Sequence, residues 1–281
     1  MSPIRDLFTI THLTLHEAMR RRILTAALIC GAAFLALFGV GLFFMLREIT
    51  SNASMTAIER RVTLNILTLA GLYAANMLMI MTAVLLPVDT LSGEIDSGVI
   101  QTLAAKPIRR GEIVLGKWLG HWLVMAAYLA LLAGGVLLIA GTLAHFTPPR
   151  IERGLPLMLF EGTLLLTLSI AGGTRLSTVT NGMLAFGLFG LAFIGNWVEQ
   201  IGTHTDNAAA RYVGTVASLI MPRESMWQLA ASQMQPTLLR QLGASPFSPL
   251  SVPSPAMLWW AAGYIVVVLA LGLRAFRKRA L

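Results

Sequence analysis

Six long stretches almost free of charged residues are the feature that most constrains this chain. A helix needs about 20 apolar residues to cross the hydrocarbon core of a bilayer, and each stretch is close to that length or longer. Backbone polar groups in lipid must be satisfied within the segment, which favours helices over isolated strands. The sequence therefore predicts an all-α, polytopic membrane protein with a single transmembrane domain over residues 1–281. The predicted spans are residues 23–45, 62–88, 118–144, 155–173, 182–198 and 256–273.

Composition and charge agree with a membrane class. Only 12% of residues are charged and 56% are hydrophobic, whereas soluble domains carry about 25% charged residues. The net charge of +8 suggests either nucleic acid or the cytoplasmic excess of Lys and Arg in membrane proteins. With six spans and both termini inside, 13 of the 21 Lys and Arg residues fall on the inner side. The charge is therefore a topology signal, and no nucleic-acid partner is expected.

Two further segments are predicted to be helical without spanning. Residues 1–22 carry Ile4, Leu7, Phe8, Leu15 and Met19 near one helical face, which favours an amphipathic helix lying in the membrane interface. A water-exposed helix is the alternative, and no cleavable signal peptide is expected. The outer segment, residues 199–255, is expected to form two short helices that dip into or cap the bundle. The first covers the apolar residues 212–221, and the second is an amphipathic helix over residues 224–235. A loosely ordered loop is the alternative.

Residues 111–118 read GEIVLGKW and resemble a phosphate-binding loop. Trp118 stands where such a loop needs the Ser or Thr that holds magnesium, so nucleotide binding by this chain is rejected. Lys117 is instead predicted to be an anchor at the inner interface. Gly116 and Gly120 are spaced for close packing of helices.

No other catalytic or metal motif is complete. The five histidines do not cluster, and the single cysteine can form neither an internal disulfide nor a structural zinc site. The chain is therefore predicted to be non-catalytic and without a cofactor of its own.

Glu161 is the only acid that lies clearly within an apolar run. Ionisable residues inside the membrane are functional candidates by default, but Glu161 is close enough to the outer end that its side chain can instead reach the headgroups. Both interpretations stay open. Asn76, in the second span, is a polar residue that can hydrogen-bond to neighbouring helices. Together they form a candidate intramembrane polar site, although a secondary transporter usually carries several such residues.

The cytoplasmic segment between the second and third spans is the most informative stretch. It runs from acidic through apolar to basic, in the order Asp89, Glu94, Asp96, residues 99–105, Lys106, Arg109 and Arg110. Such a segment can form a short helix along the inner face, with a turn at Pro107, and offer a docking surface to a soluble partner. A simple connector is the alternative.

This segment resembles the permeases of type-2 ABC exporters. The resemblance lies in an acidic-Gly segment after the second span, a Leu step, a Pro, basic residues, and Leu-Gly-Lys opening the third span. Within that class the chain is similar to the permeases that serve nitrous oxide reductase maturation, which share a Gly-His after the Lys, here Gly120 and His121. The other residues that carry the resemblance are Gly93, Glu94, Gly98, Leu103, Pro107, Arg109, Arg110, Leu115, Gly116 and Lys117.

The resemblance implies a mechanism and a set of partners. Two permease copies, as a homodimer or a heterodimer, pair in a bacterial cytoplasmic (inner) membrane and dock on cytoplasmic ATPase subunits that bind ATP and magnesium. Residues 94–105 would be the coupling segment, and the N-terminal helix an elbow at the inner surface. The candidate docking residues are Glu94, Gly98, Val99, Leu103, Pro107, Arg109, Arg110 and Lys117. A secondary transporter and a non-transporting membrane anchor or assembly subunit are the alternatives.

Overall fold

The computed structural model describes residues 3–51, 55–98, 109–236 and 252–279. Across these ranges the chain forms ten α-helices and no strand. Six of the helices are long and apolar enough to cross a membrane, which are α2, α3, α5, α6, α7 and α10. They confirm the predicted all-helical, six-span organisation. The bounds are α1 Pro3–Arg20, α2 Arg22–Ser51, α3 Ala57–Leu85, α4 Ser92–Asp96, α5 Arg110–Ala144, α6 Ile151–Gly173, α7 Thr178–His204, α8 Ala208–Ile220, α9 Arg223–Gln233 and α10 Ala256–Arg277.

Most spanning helices extend beyond the apolar stretches that predict them. Helix α5 begins at Arg110 rather than at Trp118, so the last part of the predicted cytoplasmic segment is its first two turns. Nothing in that stretch breaks a helix, and α5 continues until His145 adopts a left-handed conformation. Helix α3 starts early because Thr56 and Glu59 form a reciprocal capping box. Hydropathy marks the lipid-crossing part of a helix, whereas caps decide where the helix ends.

Helix α6 is the centre of the bundle. It contacts α3, α5, α7, α9 and α10, and 67% of its most apolar window is buried, compared with 11% for α2 and for α10. At Gly162 of α6, a side chain would collide with the sulfur atoms of Met79 and Met125. The outer helices leave their apolar faces to the surroundings, as expected when lipid replaces protein as their neighbour.

Helix α1 packs on α5 where two glycines allow it to approach. A Cβ atom at Gly116 would lie 2.6 Å from Ile10, and one at Gly120 would lie 2.7 Å from Thr14. This confirms the prediction that these glycines serve close helix packing. The buried stripe of α1 comprises Asp6, Ile10, Thr14 and Ala18.

Part of the apolar face predicted for α1 points away from the bundle, while Leu7 and Leu15 are half-buried. Phe8 is 73% exposed and Met19 is 52% exposed. Ile10 and Thr14 lie against the glycines of α5, and this orientation leaves Phe8 and Met19 on the outside. The position of α1 in the membrane interface stays a prediction.

The outer segment contains the two short helices that the sequence predicts. Helix α8 lies along α7, where Gly195, Gly202 and Gly214 leave no room for a side chain. Helix α9 packs mainly against α6. The prediction that α9 is amphipathic is wrong, because nine of its eleven residues are buried. Its small and polar side chains fit between the surrounding helices, and its charges find partners inside the protein.

Candidate functional site

Lys117 is the centre of a group of ion pairs at the end of the bundle where α3 and α6 finish and α5 begins. We call this the inner end, following the predicted orientation. Lys117 is only 3% exposed. Its ammonium group pairs with Glu94 of α4, and lies 3.9 Å from Oε2 of Glu17 on α1. The prediction that Lys117 anchors at the interface is wrong, because its charge is neutralised within the protein.

Arg21 extends this group to the end of α3. Its guanidinium donates to Glu17 at 2.5 Å, and also pairs with Asp89. We name Glu17, Arg21, Asp89, Glu94 and Lys117 the inner cluster. Its ion pairs connect four parts of the chain, which are α1 with the residue after it, the turn that follows α3, helix α4 and helix α5.

The carboxylates of the inner cluster differ in their electrostatic balance. Burial opposes the ionisation of Glu17, but the hydrogen bond from Arg21 and the charge of Lys117 outweigh it and lower its pKa. Burial raises the pKa of Glu94, although the charge of Lys117 acts in the opposite direction. Glu94 is therefore the member whose charge depends most on keeping its partner.

A histidine adds a second link to the same segment. His121 of α5 is buried, and its Nε2 lies 3.2 Å from the hydroxyl of Thr90, which follows Asp89. Its Nδ1 lies 2.8 Å from the carbonyl oxygen of Lys117. The Gly-His of the sequence thus serves two contacts, one with α1 and one with residue 90.

The other predicted docking residues are placed differently. Gly98 has a φ of 74°, which favours glycine. Arg109 is exposed at the start of α5. Arg110 donates to the carbonyl oxygens of Arg279 at 2.6 Å and Arg277 at 3.4 Å. Val99, Leu103 and Pro107, and with them most of the predicted coupling segment, lie outside the described residues.

The second candidate site surrounds Glu161, near the middle of α6. Glu161 is fully buried. Asn76 of α3 donates to its Oε2 at 2.8 Å, so the structure brings together the two residues of the predicted polar site. The interpretation that Glu161 reaches the headgroups is wrong, because its side chain points into the bundle.

Arg223, at the start of α9, supplies the cation that Glu161 needs. Its guanidinium is fully buried and approaches Oε1 of Glu161 at 2.7 Å and Oε2 of Glu224 at 2.9 Å. It also lies over the ring of Phe189, 4.4 Å from the ring centre, a favourable cation–π geometry. Asn196 of α7 donates to Glu224 at 3.2 Å. We name Glu161, Arg223, Glu224, Asn76 and Asn196 the buried cluster.

The sequence analysis missed Arg223, Glu224 and Asn196. Arg223 and Glu224 lie in the predicted outer segment, where charged residues are unremarkable, and Asn196 lies near the end of the predicted fifth span. The only hint is that Arg223 and Glu224 follow Pro222 directly between apolar residues. Among the residues with described side chains, no group of three His, Cys, Asp or Glu could hold a metal ion. The buried cluster pairs charges and fixes the position of α9.

Six helices are long and apolar enough to cross a membrane, and they enclose a buried ion pair. These features define the class as a multi-pass membrane protein. Residues 8–281 match the model of the family described as ABC-2 family transporter protein, and the chain belongs to this family.

Two curated relatives carry more specific names. The chain is 31% identical over 131 residues to a "Probable ABC transporter permease protein NosY" of Stutzerimonas stutzeri, covering 47% of this chain and 43% of that protein. It is 32% identical over 119 residues to a protein of the same name from Pseudomonas aeruginosa, covering 42% and 40%. The aligned segments thus span less than half the length of each relative.

Proposed function

We propose that this chain is the membrane-spanning permease subunit of an ABC transporter, driven by a separate cytoplasmic ATPase. The observation that carries the proposal is the family match over residues 8–281, and the names of the two relatives support it. The subunit has no catalytic role. Two copies pair in a bacterial inner membrane with both termini in the cytoplasm, and ATP and magnesium are bound by the ATPase. The cargo, or a mechanical signal in its place, is left open.

The inner cluster supports a role as the joint between the ATPase and the spans. Glu94 of α4 pairs with Lys117 of α5, and Asp89 pairs with Arg21 beside α1. A push on residues 89–98 is therefore transmitted to α1 and α5 at once. Because α3 and α5 both pack on α6, movement of the joint reaches the centre of the bundle.

The test is co-expression with a cytoplasmic ABC-type ATPase of the same organism, followed by co-purification and measurement of ATP hydrolysis in vesicles. We expect the ATPase to co-purify and to hydrolyse ATP only in complex. An ATPase that neither co-purifies nor hydrolyses ATP with this subunit would contradict the proposal.

Arg109→Glu tests the docking surface more narrowly. Arg109 is exposed, so reversing its charge should weaken co-purification while membrane insertion is unchanged. Arg110 is a poorer probe because it also holds the C-terminal residues. Arg153→Glu is the matched control, since Arg153 is exposed at the opposite end, near the start of α6. Equal loss with both variants would remove the docking assignment.

A secondary transporter is the second candidate, and the buried cluster is the observation that favours it. Acidic residues at mid-membrane depth are typical of proton-coupled transport. Transport by Glu161→Gln vesicles under an imposed pH gradient distinguishes the two. Transport that needs Glu161 and the gradient, but not the ATPase, would favour this candidate over the first. A non-transporting anchor or assembly subunit would show neither dependence.

A further inference from the structure

A groove of about 550 Å³ opens at the inner end between α10 and the α6–α7 turn. Its floor is a close crossing, where a Cβ atom at Gly272 of α10 would lie 2.9 Å from Cβ of Ala171 on α6. The groove therefore exists because two small residues let the helices approach below it. Its volume lies in the range of about 300–1,000 Å³ that is typical of small-molecule sites.

The mouth of this groove is basic. Arg175 of the turn, together with Arg274 and Lys278 of α10, lines it, and no acidic residue does so within the described part of the chain. Arg274 and Lys278 are one helical turn apart and share a face. All three side chains are exposed. Among the described residues, none makes an ion pair or side-chain hydrogen bond with these three cations.

Two other basic residues nearby do not line the groove. Arg279 donates to the carbonyl oxygen of Thr174 at 2.6 Å, and the guanidinium of Arg277 lies over Gly111. The basic character of the groove is therefore more than a general property of the C-terminal residues. It is confined to the three cations whose side chains line the groove.

Below the cations the groove is apolar. Leu176, Val268 and Leu271 line it, and Val268 and Leu271 precede Arg274 on the same face of α10, toward the membrane interior. A ligand here meets positive charge at its head and hydrocarbon along its body. That order matches the headgroup and chain of a phospholipid, and basic pockets between spanning helices bind anionic headgroups.

We propose that this groove binds an anionic phospholipid of the inner leaflet. Its phosphate lies between Arg175, Arg274 and Lys278, and one acyl chain lies along Val268 and Leu271. The assignment of the leaflet rests on the orientation proposed above, with the C-terminus inside. The lipid joins α10 to the α6–α7 turn, where few direct side-chain bonds do so.

The experiment measures lipid binding to the purified subunit in detergent, by native mass spectrometry of protein–lipid complexes. Phosphatidylglycerol is compared with phosphatidylcholine, and with glycerol 3-phosphate, which has the headgroup phosphate without chains. We expect phosphatidylglycerol to bind most tightly. Each basic residue near an anionic lipid contributes about fivefold, so Arg274→Gln with Lys278→Gln should weaken binding about 30-fold.

The matched control removes the same charge from the same end. Arg5→Gln with Arg20→Gln alters two exposed residues of α1 and should leave the binding of phosphatidylglycerol unchanged. The charge-conserving pair Arg274→Lys with Lys278→Arg should retain it.

Three outcomes would overturn the proposal. The first is an equal loss of phosphatidylglycerol binding in the Arg274 and Lys278 variant and in the Arg5 and Arg20 control. The second is equal binding of phosphatidylglycerol and phosphatidylcholine. The third is binding of glycerol 3-phosphate as tight as that of phosphatidylglycerol. If the Arg274 and Lys278 pair abolishes co-purification of the ATPase while lipid binding is unchanged, the groove is a protein-docking surface instead. Lipid binding is measured without the ATPase, so its failure is distinct from failure of the proposed function.

Discussion

The inner cluster and the buried cluster have similar composition and opposite surroundings. The inner cluster pairs three carboxylates with two cations. Glu17 and Asp89 each keep 41% of their side chains exposed, whereas Lys117 and Glu94 keep 4% and 15%. The buried cluster pairs Glu161 and Glu224 with Arg223, and all three are at most 2% exposed. Each group has one more carboxylate than cation. Water screens the surplus at the inner end, whereas fixed donors such as Asn76 and Asn196 face it in the core.

The contrast shows where the molecule can move. Partly exposed ion pairs contribute about 0–1 kcal/mol and rearrange at low cost. Removing one partner of a buried pair costs about 3–5 kcal/mol, because an uncompensated charge stays in the interior. The pairs of Arg21 with Glu17 and Asp89 are therefore suited to a joint that changes shape, and the buried cluster to holding α9 in place. The predictions below test that division.

The largest effect is expected for Arg223→Met. It leaves Glu161 and Glu224 buried without a cation, and should destabilise the protein by about 3–5 kcal/mol. Thermal unfolding in detergent, followed by size-exclusion chromatography, measures the change. The triple variant that adds Glu161→Gln and Glu224→Gln should recover much of the loss, since neutral groups need no counter-ion. A wild-type melting temperature for Arg223→Met alone would contradict the assigned role.

Gly120→Leu should disturb the inner cluster without touching a charge. The new side chain would meet Thr14 and push α1, which carries Glu17, away from α5. Overpacking of this kind costs about 1–3 kcal/mol. Gly134→Leu on the same helix is the control, because a Cβ atom there meets nothing within 4 Å. Equal melting temperatures of the two variants would refute the close α1–α5 contact.

Lys117→Met should have a smaller effect that depends on pH. Burial already raises the pKa of Glu94, and loss of Lys117 raises it further. Folding then favours the protonated carboxyl, so the variant loses stability as pH rises and regains it as pH falls. The difference in melting temperature between wild type and variant should therefore become smaller toward acidic pH. Melting temperatures across a pH series measure this difference, and a difference that is constant or widens in acid would contradict the pairing.

Arg211→Gln is expected to change the stability least of the four variants. Its pair with Asp206 spans 3.3 Å on the outer surface, and the Asp206 side chain is 91% exposed. Such pairs contribute about 0–1 kcal/mol, so the melting temperature should change little. A loss as large as that of Arg223→Met would mean that exposure does not separate the two kinds of ion pair.

Several features of this protein follow from its sequence alone. Six spans, the short helices of the outer segment and the spacing of the glycines in α5 are local properties. The free energy of transferring a segment into lipid is approximately a sum over its residues, so a window of sequence predicts which segments span the membrane. The family resemblance was likewise carried by one continuous segment, residues 93–121, together with the loose pattern of spans.

Only the tertiary structure decided which polar groups meet. Glu161 and Arg223 are 62 residues apart in sequence, and their pairing depends on how α9 enters the bundle beside α6. The sequence predicts an interfacial anchor at Lys117 because an uncharged span begins directly after it, but Glu17 of α1 and Glu94 of α4 meet its ammonium group. Hydropathy describes the solvent that a segment prefers. Charge pairing depends on distances between segments, which are set by packing.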